Sequence, residues 1–175
     1  MKTRTFLTTL AAVLAAFTMN AATPKVGDAA PAVQGKDQDG KTWNSSDHVG
    51  KHIVLFYFYP KDDTPGCTTQ ACGLRDRMGD LKKDNVIVVG VSFDSSESHQ
   101  KFIAKHNLNF TLLADTDGRI TDAYGVRREA GKNMARRASF LIGLDGKIAH
   151  VTDTPSAATH LAEMKDAVAK LPKKK

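Results

Sequence analysis

Residues 52–59 read HIVLFYFY, a run with no polar residue after His52. Successive side chains of a strand point to opposite faces, so a strand with one wet face alternates apolar and polar residues. A run without alternation suits a strand buried on both sides, inside a sheet that is covered above and below. NVIVVGVSF, at 85–93, is a second run of this kind. Between the two, Pro60 ends the first strand and KDDTPG is turn-like. From there to Lys83 a helical pattern takes over, with Leu74, Met78 and Leu81 as its apolar stripe. Two doubly buried strands joined through a helix are the plan of an α/β layer.

The rest of the chain extends that plan. Asp39-Gly40 within DQDGKTW marks an N-terminal β-hairpin. Ser95 caps a helix whose residues Phe102, Ile103 and Leu108 face inward, FTLLAD is a third strand, and GRITDAYGV is a short helix closed by Gly125. ASFLIGLDGKIAHVTD, at 138–153, places two β runs around Asp145-Gly146. Thr154-Pro155 then opens a last helix, with Pro155 at the first helical position and Leu161, Met164, Val168 and Leu171 inward. The expected architecture is a mixed central sheet with helices on both faces. A thioredoxin-like arrangement fits this order, and the order alone leaves a flavodoxin-like sheet open.

The 175 residues suffice for one domain, and 41% hydrophobic with 25% charged is an ordinary globular balance. Residues 1–22 are set apart from it. Lys2 and Arg4 precede the apolar run Phe6 to Phe17, and Ala21 and Ala22 form a small-residue exit. That is the plan of a secretory signal peptide, so residues 23–175 form the domain and export, to the periplasm, is expected. The apolar run is too short for a membrane span. Without Lys2 and Arg4 the formal charge falls from +6 to +4, and Lys173, Lys174 and Lys175 supply part of the remainder. No aromatic residues interleave with that tail, which reads as a solvated end rather than a nucleic-acid patch.

Both cysteines of the chain, Cys67 and Cys72, fall in FYPKDDTPGCTTQACGLRD. Cys67 stands where strand gives way to helix, just after Pro65-Gly66. A helix N-terminus offers unpaired N–H groups and a partial positive charge that favour a thiolate. Thr64 is placed to aim its hydroxyl at the same point. In an exported protein the bland reading of two cysteines is a structural disulfide. Yet residues five apart in an α-helix have Cα atoms roughly 8–9 Å apart, and a disulfide needs less than about 7 Å. A static bridge would also close a trivial loop. The spacing suits thiols that meet transiently as the first helical turns unravel. It is not the C-x-x-C of a dithiol motif. Two cysteines and six scattered histidines make no tetrahedral zinc set; His48 and His52 read as surface residues.

YPKDDTPGCTTQACGLRD resembles the active-site segment of peroxiredoxins, with Pro60, Thr64 and Cys67 at the family's Pro, Thr and Cys positions. Cys72 resembles the resolving cysteine of the PrxQ group, also called bacterioferritin comigratory proteins. RRASFLI offers Arg137 as the family's further arginine, three residues before Phe140, and leaves Arg136 as a surface neighbour. The likeness runs through most of Lys25 to Val151. It implies a thioredoxin-like fold and a thiol peroxidase that uses no metal, haem or flavin; a monomer is the expected state. Cys67 would be peroxidatic and Cys72 resolving, with Thr64 orienting the peroxide, Arg137 supplying a fixed cation and Pro60 shielding the thiolate. A thioredoxin or thioredoxin-like dithiol would be the reductant. Arg75 and Asp76 read as helix-surface residues. The competing reading is an exported binding or holdase module whose cysteines form a passive bridge.

Overall fold

The structure, a computed structural model, describes residues 22–172. The expected signal peptide, save Ala22, and the three terminal lysines lie outside these residues. The strands are β1 (Gln34–Asp37), β2 (Thr42–Asn44), β3 (Ile53–Phe58), β4 (Val86–Ser92), β5 (Thr111–Ala114), β6 (Ala138–Ile142) and β7 (Ile148–Asp153). The helices are α1 (Pro65–Lys83), α2 (Ser96–His106), α3 (Arg119–Ala123) and α4 (Ala157–Lys170). One seven-stranded sheet runs β2-β1-β5-β4-β3-β6-β7. β3, β4 and β5 are parallel, whereas β6 and β7 on one side and the β1–β2 hairpin on the other join antiparallel.

The unbroken apolar run takes the centre of this sheet, and the two-residue period shows why it has no polar break. Ile53, Leu55, Tyr57 and Tyr59 face a core built with Ala71, Leu74 and Met78 of α1, Phe102 of α2, and Met164 and Val168 of α4. Val54, Phe56 and Phe58 face the opposite core, with Trp43, Ile120 and Tyr124. Every β3 side chain is buried.

Two details of the sequence expectation change. α4 begins at Ala157 rather than at Pro155, because Ser156 is the cap and its side chain accepts from Thr159 N. An oxygen side chain satisfies one of the orphan amides that Pro155 could not. The carbonyl of Pro155 is thereby left free to face inward, toward Arg137. Arg136 is also no plain surface residue: it donates to Asp153, Gly125 O and Thr23 and is half-buried.

Candidate active site

The register between β3 and β6 assembles the site. Phe58 pairs with Ala138 at the ends of the two strands, so the residue before β6, Arg137, arrives where the chain leaves β3 and turns into α1. Thr64 is the N-cap of α1, with extended backbone, and Pro65 occupies the first turn. Cys67 follows two residues later, within the turn whose amides lack intrahelical acceptors. Its side chain is buried, with 1% exposure. Arg137 Nη2 lies 3.4 Å from Cys67 Sγ. A Cβ at Gly66 would stand 3.1 Å from that same Nη2, tighter than ordinary contact, so the absence of a side chain there gives the guanidinium its room.

Arg137 is 9% exposed and each of its three side-chain nitrogens has a partner. Nε donates to Pro155 O at 3.1 Å and Nη1 to Gln70 Oε1 at 2.5 Å. Gln70 stands one helical turn beyond Cys67, and its Nε2 faces Ser139 Oγ at 3.5 Å. Ser139 Oγ lies 2.7 Å from His160 Nδ1, and His160 Nε2 lies 2.9 Å from Thr154 O. Burial holds the His160 pKa below its ordinary value; the Thr154 carbonyl opposes this and the Arg137 charge adds to it. Gln70, Ser139 and His160 are the residues that sequence reasoning missed. They come from α1, β6 and α4, and only their polarity at otherwise buried positions of those elements was a signal.

A second polar cluster anchors the loop between β3 and α1. Tyr59 Oη and Ser98 Oγ each donate to Asp62 at 2.7 Å, and His99 Nδ1 lies 2.9 Å from Asp62 Oδ2. Burial raises the Asp62 carboxyl, but the bond and charge of His99, then the bonds from Tyr59 and Ser98, outweigh it and hold the pKa below the ordinary value. A carboxylate only accepts, so His99 Nδ1 carries the proton. Tyr57, on the same face of β3, keeps a fully buried hydroxyl with no hydrogen-bond partner. Burial first, then the charges of Asp62 and Cys67, push its pKa well above the ordinary value, so it remains a neutral phenol.

The other expected residues distribute unevenly. Pro60 shares with Arg137 a cavity of about 260 Å³, lined also by Arg128, Arg136, Asp153 and Pro155. The Thr64 hydroxyl does not point at the thiol in this state; it donates to Lys61 O at 3.1 Å. Cys72 lies on α1, half-buried, and both cysteines are free thiols. α1 is continuous through both, so helix geometry holds their Cα atoms roughly 8–9 Å apart. Arg75 does more than decorate the surface, since Nη1 donates to His106 O and ties α1 to the end of α2. A cavity of about 280 Å³ between α1 and α4, lined by Leu74, Leu81, Leu161, Met164 and Val168, includes neither cysteine.

Comparison with known proteins places this geometry. The AhpC/TSA family model matches residues 26–151. Peroxiredoxin Bcp of Escherichia coli K12 is 49% identical over 141 residues, covering 78% of this chain and 90% of that protein. Among solved structures, peroxidoxin BcpB of Mycobacterium tuberculosis superposes with a TM-score of 0.80 at 29% identity, over 85% of this chain and 99% of that one. The bacterioferritin comigratory protein of Xanthomonas campestris, studied for its alkyl peroxide reduction activity, gives a TM-score of 0.71 at 29% identity, over 78% of this chain and 90% of that one. The same thioredoxin-like layer is common to them. A buried thiol at a helix start, faced by an arginine that immediately precedes β6, thus lies inside the matched span, and the chain belongs to the AhpC/TSA family, alongside its Bcp and PrxQ peroxiredoxins.

Proposed function

We propose that the protein is a thiol peroxidase that reduces hydrogen peroxide and organic hydroperoxides through Cys67. The observation that carries this reading is the 3.4 Å contact between Arg137 Nη2 and Cys67 Sγ at the first turn of α1. The Cys67 thiolate attacks one peroxide oxygen; an S–O bond forms, the O–O bond breaks, and the leaving hydroxide or alkoxide takes up a proton. Negative charge passes from sulfur to the leaving oxygen. A guanidinium already fixed by Pro155 O and Gln70 can follow that charge without reorganising. Pro60 walls the cavity that Arg137 also lines, and a turn of the Thr64 hydroxyl away from Lys61 O would let it orient the bound peroxide.

Cys67 is then a sulfenic acid. The Cys72 thiolate attacks its sulfur; the S–S bond forms, the S–O bond breaks, and the expelled hydroxide takes up a proton and leaves as water. An external dithiol of the thioredoxin type restores both thiols by exchange. We further propose that the protein works as an exported monomer after loss of residues 1–22. Val26 is the large hydrophobic side chain left exposed among the described residues, which gives a permanent partner little apolar surface to cover.

Substitution of the two cysteines tests the sequence of events. Cys67→Ser is expected to abolish peroxide consumption, while Cys72→Ser reacts once and stalls as a sulfenic acid, detected by mass. A Cys72→Ser protein that failed the first oxidation while Cys67→Ser retained it would reverse the assignment. Persistence of both thiols in the parent under one equivalent of peroxide would leave the binding-module reading instead. The N-terminal mass of protein from a periplasmic fraction checks export.

A further inference from the structure

The hydrogen-bond chain behind Arg137 has a direction, and its far end sets it. His160 Nε2 faces the Thr154 carbonyl, which can only accept, so Nε2 carries the ring proton. In the neutral imidazole Nδ1 is then an acceptor, and Ser139 Oγ must donate to it. The lone pairs of Ser139 are left for Gln70 Nε2, across the longest link of the chain. Gln70 therefore turns its oxygen toward Arg137, the one orientation in which a guanidinium, which has no acceptor, can be held. Gln70, Ser139 and His160 are each 1% exposed, so the chain is closed to bulk water.

We propose that His160 is a positioning residue for the Cys67 reaction: through Ser139 and Gln70 it holds the Arg137 guanidinium against the thiol, and proton uptake by its ring releases that hold. The inference rests on the peroxidase reading. An imidazolium places N–H groups at both ring positions, and Nδ1–H then points at Ser139 Oγ. The serine proton must turn away from the ring. Gln70 is the other partner of Ser139, so the amide is driven to present its oxygen to Ser139 and its nitrogen to Arg137. Two donors then face each other, and Arg137 loses one of its anchors.

The charged groups around His160 pull in opposite senses. Arg137, before β6, disfavours the imidazolium, whereas Glu163 on its own helix α4 and Asp153 of β7 favour it. α1 brings the neutral Gln70 amide, through Ser139, and the Arg77 guanidinium, which donates to the carbonyl of the neighbouring Leu161. His160 makes no hydrogen bond to Cys67, so its effect must pass through the chain.

NMR on the reduced full chain tests the coupling directly. As pH falls from roughly 8 to 5, across the ordinary imidazole value of about 6.5, the Arg137 Nε–H resonance is expected to shift with the His160 midpoint. In Ser139→Ala the His160 ring still titrates but Arg137 no longer follows. Kinetics give a second arm. His160→Leu lowers the second-order rate of Cys67 oxidation about 5-fold, the size of one neutral hydrogen bond. His160→Asn, which keeps an acceptor for Ser139 and does not titrate, restores the rate and flattens the acid limb of the pH profile. An Arg137 resonance indifferent to His160, or His160→Leu with the parent's rate at every pH, overturns the proposal. A parent unreactive toward peroxide would sink the peroxidase reading instead, and the NMR arm would still decide the coupling.

Discussion

Oxidation of the two cysteines is expected to unwind the start of α1. In the dithiol state the helix runs unbroken from Pro65 to Lys83, and Thr68 N already donates to Thr64 O at 2.8 Å. A Cys67–Cys72 bridge must shorten a Cα separation of roughly 8–9 Å to less than about 7 Å, and no side-chain rotation achieves that. The amides of Thr69 to Cys72 lose their helical acceptors. At about 1 kcal/mol for each of about four bonds, their loss removes about 4 kcal/mol of local stability, so their protection from exchange falls about 10³-fold. Gly66 and Gly73, which flank this segment of α1, make the unwinding easier, since each costs a helix about 1 kcal/mol relative to alanine. Cys67, Gln70 and Ala71, buried in the dithiol form, leave their pockets, and Leu74 is released toward solvent. That exposes an apolar surface that a reductant can recognise in the oxidised form alone. Hydrogen exchange followed by mass spectrometry, comparing peptides across 66–76 in both redox forms, measures the effect. Equal protection in the two forms would refute local unwinding.

Arg137→Met is expected to keep the fold and slow Cys67 oxidation about 10²–10³-fold, the usual cost of losing one preorganised charge-stabilising group; stopped-flow rates equal to the parent's would reduce Arg137 to a structural residue. A Cβ at Gly73 would stand 2.4 Å from Leu161 Cδ1, so Gly73→Ala is expected to give no net stabilisation in the parent but to gain about 1 kcal/mol in a Leu161→Ala background. Identical changes in both backgrounds, by urea denaturation, would show that this close approach of α1 and α4 carries no energy. Asp62 has a folded-state pKa below its unfolded value, so its contribution is full above the ordinary carboxylate range and is lost as pH falls through that range toward the folded value. Asp62→Asn should cost about 1.5–3 kcal/mol at neutral pH and show a shallower acid loss than the parent; parallel acid curves would argue against it.

The fold class was legible because burial on both faces leaves a mark in one dimension. HIVLFYFY and NVIVVGVSF lack the alternation of a half-wet strand, and the structure places both at the centre of the sheet. The N-terminal hairpin was legible from Asp39-Gly40, since Gly40 adopts a φ of 73° that favours glycine. Its attachment to β5 was not, because edge pairing depends on which strand is left with free backbone groups. The place of Cys67 in the first turn of a helix was readable from local chemistry alone, since Pro65-Gly66 starts α1. Arg137 needed a motif, and its neighbour Arg136 was misjudged, because one residue decides which side of a strand end an arginine faces. Register decided that. Gln70, Ser139 and His160 stayed hidden for a stronger reason. They stand 69 and 21 positions apart in sequence, and each reads alone as an ordinary polar residue on its own element. The packing of α1 and α4 against β6 makes them one chain, since a hydrogen bond depends on distance and direction in space, which sequence separation does not record.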